Sequence, residues 1–319
     1  MRDEPIRIGI SSCLLGKPVR YDGGHKRDRF LTDGLGPFVE WVPVCPELEM
    51  GMGVPRETVR LVGDGEDVRL LAERSGTDHT RAMRAYADRR VRELAPLDLC
   101  GYVLKKDSPS CGLLRVRVYP GRGRGTPEKK GRGLFAEVLT RAFPELPVEE
   151  EGRLNDPVLR ESFIERLFAY RRLRSLFRPR WSRGDLVRFH TAHKLQIMSH
   201  APKAYAELGR LVGEAKALPR AALRRRYEEG FMAALGLHAT RRRHVNVMHH
   251  VLGFFRTALD PASKQELLAL IEDYRRGLVP LVVPLTLIRH SVRRFDVAWL
   301  RDQHYLEPHP KELMLRNRV

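Results

Sequence analysis

Four cysteines, Cys13, Cys45, Cys100 and Cys111, are the residues that most invite chemistry, and all lie in the first 111 positions of a 319-residue chain. Cys13 follows Ile8-Gly9-Ile10-Ser11-Ser12, Cys45 follows Trp41-Val42-Pro43-Val44, and Cys111 sits in Ser108-Pro109-Ser110-Cys111-Gly112, each just past an apolar, strand-like run. Cys100 differs: it falls inside the run from Leu97 to Leu104, where a free thiol behaves as a small hydrophobe. Three thiolates brought to one crevice can hold a metal or an iron–sulfur cluster, whereas a lone nucleophilic cysteine needs a partnered histidine. The first half offers only His25 and His79 for that role. The cysteine separations fit no compact zinc or ferredoxin run, so on residue chemistry alone two readings stay open, a metal or cluster site and three unrelated buried thiols.

The elements that must deliver these residues follow from the apolar patterning. Arg7 to Leu15 reads as a strand, Phe38 to Leu48 contains a second, His79 to Leu94 has helical period, Leu97 to Leu104 is a third strand, Leu113 to Tyr119 a further one, and Gly131 to Phe143 a closing helix. This alternation predicts an α/β, Rossmann-like domain with a parallel sheet over residues 1–148, whose functional groups gather beyond the carboxyl ends of the strands. Gly121 to Gly133, rich in Gly and Arg, reads as a solvated hairpin or lid rather than a phosphate loop. The Pro- and Glu-rich stretch 143–152 marks a boundary, and residues 149–185 read as a linker whose helix Pro157 to Leu176 bridges the two domains. From 186 to 319 the spacing is helical throughout: Leu186 to Ser199, Pro202 to Ala215, Pro219 to Leu235, Arg241 to Leu259, Pro261 to Gly277 and Pro284 to Asp296, giving an all-α C-terminal bundle. Met198, Met248 and the pair Phe254-Phe255 are expected in its core.

Charge separates the halves. Residues 1–150 carry 26 Lys+Arg against 23 Asp+Glu, while residues 151–319 carry 32 against 17, so almost all of the formal +18 belongs to the helical half. Such a field favours a polyanion. A composition that has simply replaced Lys with Arg would explain the arginine content but not the asymmetry. Among candidate contacts are His190, His193, Lys194, Arg224, Arg225, Arg241 and Arg242. His190, His193 and His200 share a helical spacing but lack a nearby carboxylate or cysteine to complete a metal site, so packing or RNA contact is expected of them. No apolar run is long enough to cross a bilayer, and the N-terminal sequence lacks signal-peptide organisation, so a cytoplasmic location is expected with no membrane partner.

Four segments in order, Gly9-Ile10-Ser11-Ser12-Cys13-Leu14-Leu15-Gly16, Val19-Arg20-Tyr21-Asp22-Gly23-Gly24-His25-Lys26, Pro43-Val44-Cys45-Pro46-Glu47 with Pro55-Arg56, and Leu104-Lys105-Lys106-Asp107-Ser108-Pro109-Ser110-Cys111-Gly112, resemble the thiouracil desulfidase family. The resemblance implies a [4Fe-4S] cluster held by Cys13, Cys45 and Cys111, with Glu47 as acid/base and Ser108 positioning or activating water. It leaves Cys100 outside. It further implies removal of sulfur from a thiolated pyrimidine without net redox change, water attacking the C–S carbon while the sulfur leaves as hydrosulfide. Ser11, Ser12 and Ser110 are candidates for hydrogen bonds to cluster or substrate, and Arg20, Asp22 and Lys105 for substrate contact. The segment Phe189-His190-Thr191-Ala192-His193-Lys194, followed by Met198-Ser199-His200 and Tyr205-Ala206-Glu207-Leu208-Gly209, resembles the helical domain that accompanies this module in bacterial proteins acting on 4-thiouridine in tRNA. Thiolated tRNA is therefore the expected substrate and partner. The alternatives are a desulfidase of free thiouracil and other small thiopyrimidines, or a non-catalytic iron–sulfur protein that binds RNA or senses redox state.

Overall fold

A computed structural model describes residues 6–64, 67–121 and 125–319. Met1 to Pro5 of the segment weighed as a signal peptide, and Arg122, Gly123 and Arg124 of the Gly/Arg loop, lie outside the described residues. The chain divides into two units, residues 1–155 and 156–319.

In chain order the first unit runs β1 (Ile6–Ser11), β2 (Val39–Val44), α1 (Pro46–Glu49), β3 (Val59–Asp64), β4 (Asp67–Ala72), α2 (Thr80–Leu94), β5 (Gly101–Leu104), β6 (Val116–Tyr119), β7 (Glu128–Gly131), α3 (Leu134–Ala142) and β8 (Val148–Glu150). The four strands β2-β1-β5-β8 form one wholly parallel sheet. Its central strands are buried on both faces, which is why β1 and β5 read as continuous apolar runs rather than alternating ones. A side chain at Gly9 would lie 2.2 Å from the Tyr102 ring on the neighbouring strand, so the glycine is what admits that fully buried tyrosine. Cys100 is buried immediately before β5, and its N–H donates to the Arg7 carbonyl.

A second sheet, β4-β3-β6-β7, was not anticipated. It consists of two antiparallel hairpins joined by the parallel pair β3 and β6. The strand expected over Leu113 to Tyr119 forms as β6, but in this sheet rather than in the parallel one. The Gly/Arg stretch 121–133 follows β6 and contains β7, so its described part includes the strand that pairs antiparallel with β6.

The second unit contains α4 (Pro157–Leu176), α5 (Arg183–His200), α6 (Pro202–Gly213), α7 (Arg220–Gly236), α8 (Arg241–Leu252), α9 (Pro261–Arg276), α10 (Val282–Arg294) and α11 (Ala298–Arg301). Its helix starts are written in the sequence. Asp156 accepts from the N–H groups of Val158 and Leu159, Ser182 and Asp185 form a reciprocal capping box, and Thr240 and Asp260 cap α8 and α9. The helix expected as an inter-domain bridge is instead part of this unit: Ala169 and Leu173 of α4 are buried against Leu186, Ile197, Tyr227 and Phe231. A second core packs Met248, Val251, Phe255, Ile271, Ile288 and Tyr305. The helix expected to Leu259 stops at Leu252, where a 3-10 turn, Gly253–Phe255, turns Phe255 into the core and leaves Phe254 40% exposed, stacked on Trp299.

Candidate functional site

Cys13, Cys45 and Cys111 follow β1, β2 and β5, three adjacent strands of the parallel sheet, at their carboxyl ends. Each is held by its own loop. After β1 the chain turns through Ser12–Leu15 and closes at Gly16, a left-handed residue with φ 85° whose N–H donates to the Cys13 carbonyl. Lys26 N–H donates to the same oxygen at 2.9 Å. Cys45 occupies the position before α1, and its N–H donates to Glu49 Oε1 at 2.8 Å. Glu49 Oε2 accepts from the Tyr86 hydroxyl at 2.7 Å and faces Arg90 at 3.2 Å, which ties the Cys45 loop to α2. The Cys111 loop is seated on the start of α3: Phe135 and Ala136 N–H groups, which a helix leaves without internal partners, donate to the Ser110 carbonyl. A Cβ at Gly133 would stand 2.5 Å from that carbonyl, so only glycine permits the approach. Glu150 completes the frame by accepting from the N–H groups of Leu113 and Leu114.

All three thiols are free and line one cavity of about 340 Å³, together with Glu47, Ser108, Arg56, Arg20, Lys105, Ser11 and Ser12. Burial pushes the Cys13 thiol up to about 11, opposed by the positive charges of Lys105 and Arg20. Burial also raises Cys45, and raises Cys111 well above the ordinary range, where a hydrogen bond from Ser11 acts in the opposite direction. Neighbouring thiols add to this: Cys45 raises Cys13, and both raise Cys111. Cys100 is absent from the lining.

Glu47 is held at both carboxylate oxygens. Its Oε2 accepts from both Nε and Nη2 of Arg56, at 2.9 and 2.5 Å, and its Oε1 accepts from the buried Ser110 hydroxyl at 2.8 Å. Arg56 also donates to the carbonyls of Val19 and Gly53 at 3.0 Å each, so it fixes Glu47 against two turns of backbone. Ser108 Oγ accepts from the N–H groups of Ser110 and Cys111, which uses the oxygen as an acceptor and leaves its proton to donate elsewhere. Arg56 and Glu49 are the functional residues that sequence reasoning missed. Arg56 stood in one of the motifs without a role, and nothing local shows that Glu49 reaches Cys45 and α2 at once.

Other expected contacts sort unevenly. Ser11, Ser12, Arg20 and Lys105 line the cavity, but the Lys105 ammonium is paired with the Glu151 carboxylate and bonded to the Lys106 carbonyl. Ser110 lies behind the lining and acts on Glu47. Asp22 is outside the cavity; its carboxylate accepts from Gly24 N–H in a turn, which lowers its pKa.

In the helical unit, His190 and His193 are buried within the bundle, and His190 also lines a cavity of this unit. His190 Nδ1 pairs with the Tyr227 hydroxyl, and burial pushes its pKa down to about 4. His193 stacks on Phe189 and receives a hydrogen bond from Arg172. His200 is buried beside Glu165, which raises its pKa. Lys194 lines a separate cavity of this unit. Arg224 is engaged with Glu228 and the Phe177 carbonyl and ring. Arg241 lies over the Tyr274 ring, while Arg225 and Arg242 are exposed. No helix among the described residues is long and apolar enough to cross a membrane.

The comparisons with known proteins divide at the same place as the fold. A model of the 2-thiouracil desulfurase family matches residues 8–151, and a model of a domain of unknown function, DUF1722, matches residues 194–310. The uncharacterized protein YbgA of Escherichia coli (strain K12) is 34% identical over 158 residues, which are 49% of this chain and 94% of YbgA. The uncharacterized protein YbbK of Bacillus subtilis (strain 168) is 33% identical over 157 residues, 47% of this chain and 98% of YbbK. A solved structure of the [4Fe-4S]-dependent thiouracil desulfidase TudS is 32% identical and covers 50% of this chain and 99% of its own, with a TM-score of 0.41. Through residues 8–151, the chain belongs to the 2-thiouracil desulfurase family.

Proposed function

We propose that this chain is a desulfidase that removes sulfur from a thiolated pyrimidine as hydrosulfide, with a [4Fe-4S] cluster held by Cys13, Cys45 and Cys111 and with 4-thiouridine in tRNA as its substrate. The observation that carries the reading is the convergence of three free thiols, Glu47 and Ser108 on one cavity from three neighbouring strand ends. The donor set suits a cluster. A cluster is gripped at separate irons, and three cysteines from separate loops line this one cavity. When bound through only three thiolates, such a cluster supplies a Lewis-acidic iron for a soft thiocarbonyl sulfur.

The chain's own residues then have distinct tasks. Arg56 and Ser110 fix the Glu47 carboxylate, leaving a lone pair of Oε1 to take a proton from attacking water and pass one to the pyrimidine ring. Ser108, with its oxygen occupied by two N–H groups, acts as an orienting donor rather than as a base. Lys105 and Arg20 favour the thiolate form of Cys13. The tRNA assignment rests on charge: residues 151–319 carry a surplus of 15 positive charges, which phosphate contacts would use to position a base that must leave its stack. The competing reading, free thiouracil, is favoured by the description of the matching family model.

The test is anaerobic iron and sulfide reconstitution, followed by sulfide release from thiouracil and from thiolated tRNA. A brown, cluster-bearing protein that acts on thiolated tRNA is expected. Activity on free base alone selects the second reading. Protein that stays colourless with all three thiols titrating as free refutes both, and a cluster-bearing protein inactive on either substrate leaves the cluster structural.

A further inference from the structure

The motif Phe189 to Lys194 and the motif ending at Gly209 are not used by the chemistry above, yet the fold places them across one cavity. This cavity of the helical unit measures about 620 Å³ and is lined by Arg183, Gly184, Val187, His190, Thr191, Lys194, Gly209, Val212, Gly213, Ala215 and Lys216. Its lining contains no carboxylate. Lys194 and Lys216 form no salt bridge among the described residues, and the Arg183 guanidinium is held in place by the carbonyls of Ala215 and Leu218. His190 is 2% exposed; its Nδ1 is satisfied by Tyr227, but its buried Nε2 has no partner. A Cβ at Gly209 would lie 3.9 Å from that nitrogen, in ordinary van der Waals contact, so Gly209 is the residue of the facing helix that adjoins it. In the tautomer whose Nδ1 accepts from the Tyr227 hydroxyl, Nε2 carries the ring proton and is a donor. Lysine ammoniums, the Thr191 hydroxyl and an imidazole N–H form a set rich in donors and poor in acceptors, and glycines let a ligand approach the backbone closely.

We infer that this cavity seats a phosphate group, supplied by the RNA backbone, through His190, Lys194 and Lys216. The inference rests on the tRNA reading above and adds a specific docking point to it. A phosphodiester and the phosphate of a small nucleotide share this chemistry, so both are tested. Using the cluster-loaded chain, tRNA affinity is measured against KCl concentration for wild type, Lys194→Gln, Lys216→Gln and Gly209→Ala, with Lys203→Gln as an exposed lysine outside the cavity, on α6 with Gly209. UMP binding is measured in parallel by calorimetry.

Each cavity lysine variant is expected to reduce the salt slope, the fall of log affinity with log salt, by about one and to weaken tRNA binding several-fold, with Lys203→Gln changing neither slope nor affinity by as much. Gly209→Ala, an ordinary helix substitution, is expected to weaken tRNA with unchanged circular dichroism. Sulfide release from free thiouracil should be the same in all of them, which separates loss of this docking point from loss of the enzyme. Equal effects of Lys203→Gln and the cavity variants would overturn the inference, leaving only a diffuse field. UMP binding that is abolished in the cavity variants while their tRNA slopes stay unchanged would overturn the RNA source. A wild-type protein active on thiouracil but without measurable tRNA affinity overturns the docking point and the tRNA substrate together, leaving the desulfidase intact.

Discussion

Replacing Arg56 by methionine removes the two donors on Glu47 Oε2 and the donors to the Val19 and Gly53 carbonyls, while keeping most of the aliphatic volume. The side chains of Arg56 and Glu47 are 5% and 15% exposed, so the carboxylate left behind is largely cut off from water. Breaking one side of such a pair costs about 3–5 kcal/mol, because an uncompensated charge stays buried. The low end applies here, since Ser110 still donates to Oε1. With a urea dependence of about 2 kcal/mol/M for a unit of this size, a loss of about 3 kcal/mol lowers the midpoint by about 1.5 M. Adding Glu47→Gln to Arg56→Met removes the stranded charge and is expected to restore at least half of that loss, while sulfide release stays abolished. Urea unfolding of the apo-protein, followed through Trp41, reads the stability, and sulfide release from thiouracil by the reconstituted protein reads the chemistry. An Arg56→Met protein with wild-type midpoint and activity would refute the reasoning, as would a double variant no more stable than the single one.

Cys13→Ser, Cys45→Ser and Cys111→Ser are each expected to abolish cluster absorbance and sulfide release, whereas Cys100→Ala retains both; iron content and visible spectra after reconstitution decide it. Gly9→Ala drives a methyl group into the Tyr102 ring and should cost about 1–3 kcal/mol, seen as a lowered melting temperature of the first unit. Acidification should weaken the helical unit. Burial holds His190, His244 and His304 at about 4, below the ordinary 6.5, so the unfolded chain takes up protons first and stability is lost as pH falls from about 6.5 to 4. His200, raised by Glu165, works in the opposite sense, its contribution being present at low pH and lost as pH rises through its folded value. Calorimetry of the second unit's transition from pH 7 to 4.5 should show a falling midpoint, and a flat one would contradict the buried-neutral assignment.

The parallel sheet and the helices were legible because each depends on a local pattern: continuous apolar runs for doubly buried strands, and helical spacing with Pro157, Pro202 and Pro261 in the first turns of α4, α6 and α9. The second sheet was missed although Asp64-Gly65 stands between two apolar runs, a hairpin signal that went unused. The three cysteines proposed to hold a cluster stood out because cysteines are few. Arg56 and Glu49 did not, because charged residues are common and only the folded chain shows which of them are buried against a ligand loop. The histidines of α5 were expected to pack or to contact RNA: their helical spacing is visible in sequence, but whether that face turns inward depends on Phe189, Tyr227 and Phe231, which pack around them.

Registration between β1 and β2 carries a further consequence. Ser11 is paired with Val44, so the two cysteines just beyond them begin their loops level with each other. A slip of two residues would keep every side chain on its original face and satisfy the same ladder, yet would carry Cys45 about 6.6 Å along the strand. The spacing between these two thiols is thus cut into the backbone hydrogen-bonding of the strands, well before the cysteines themselves.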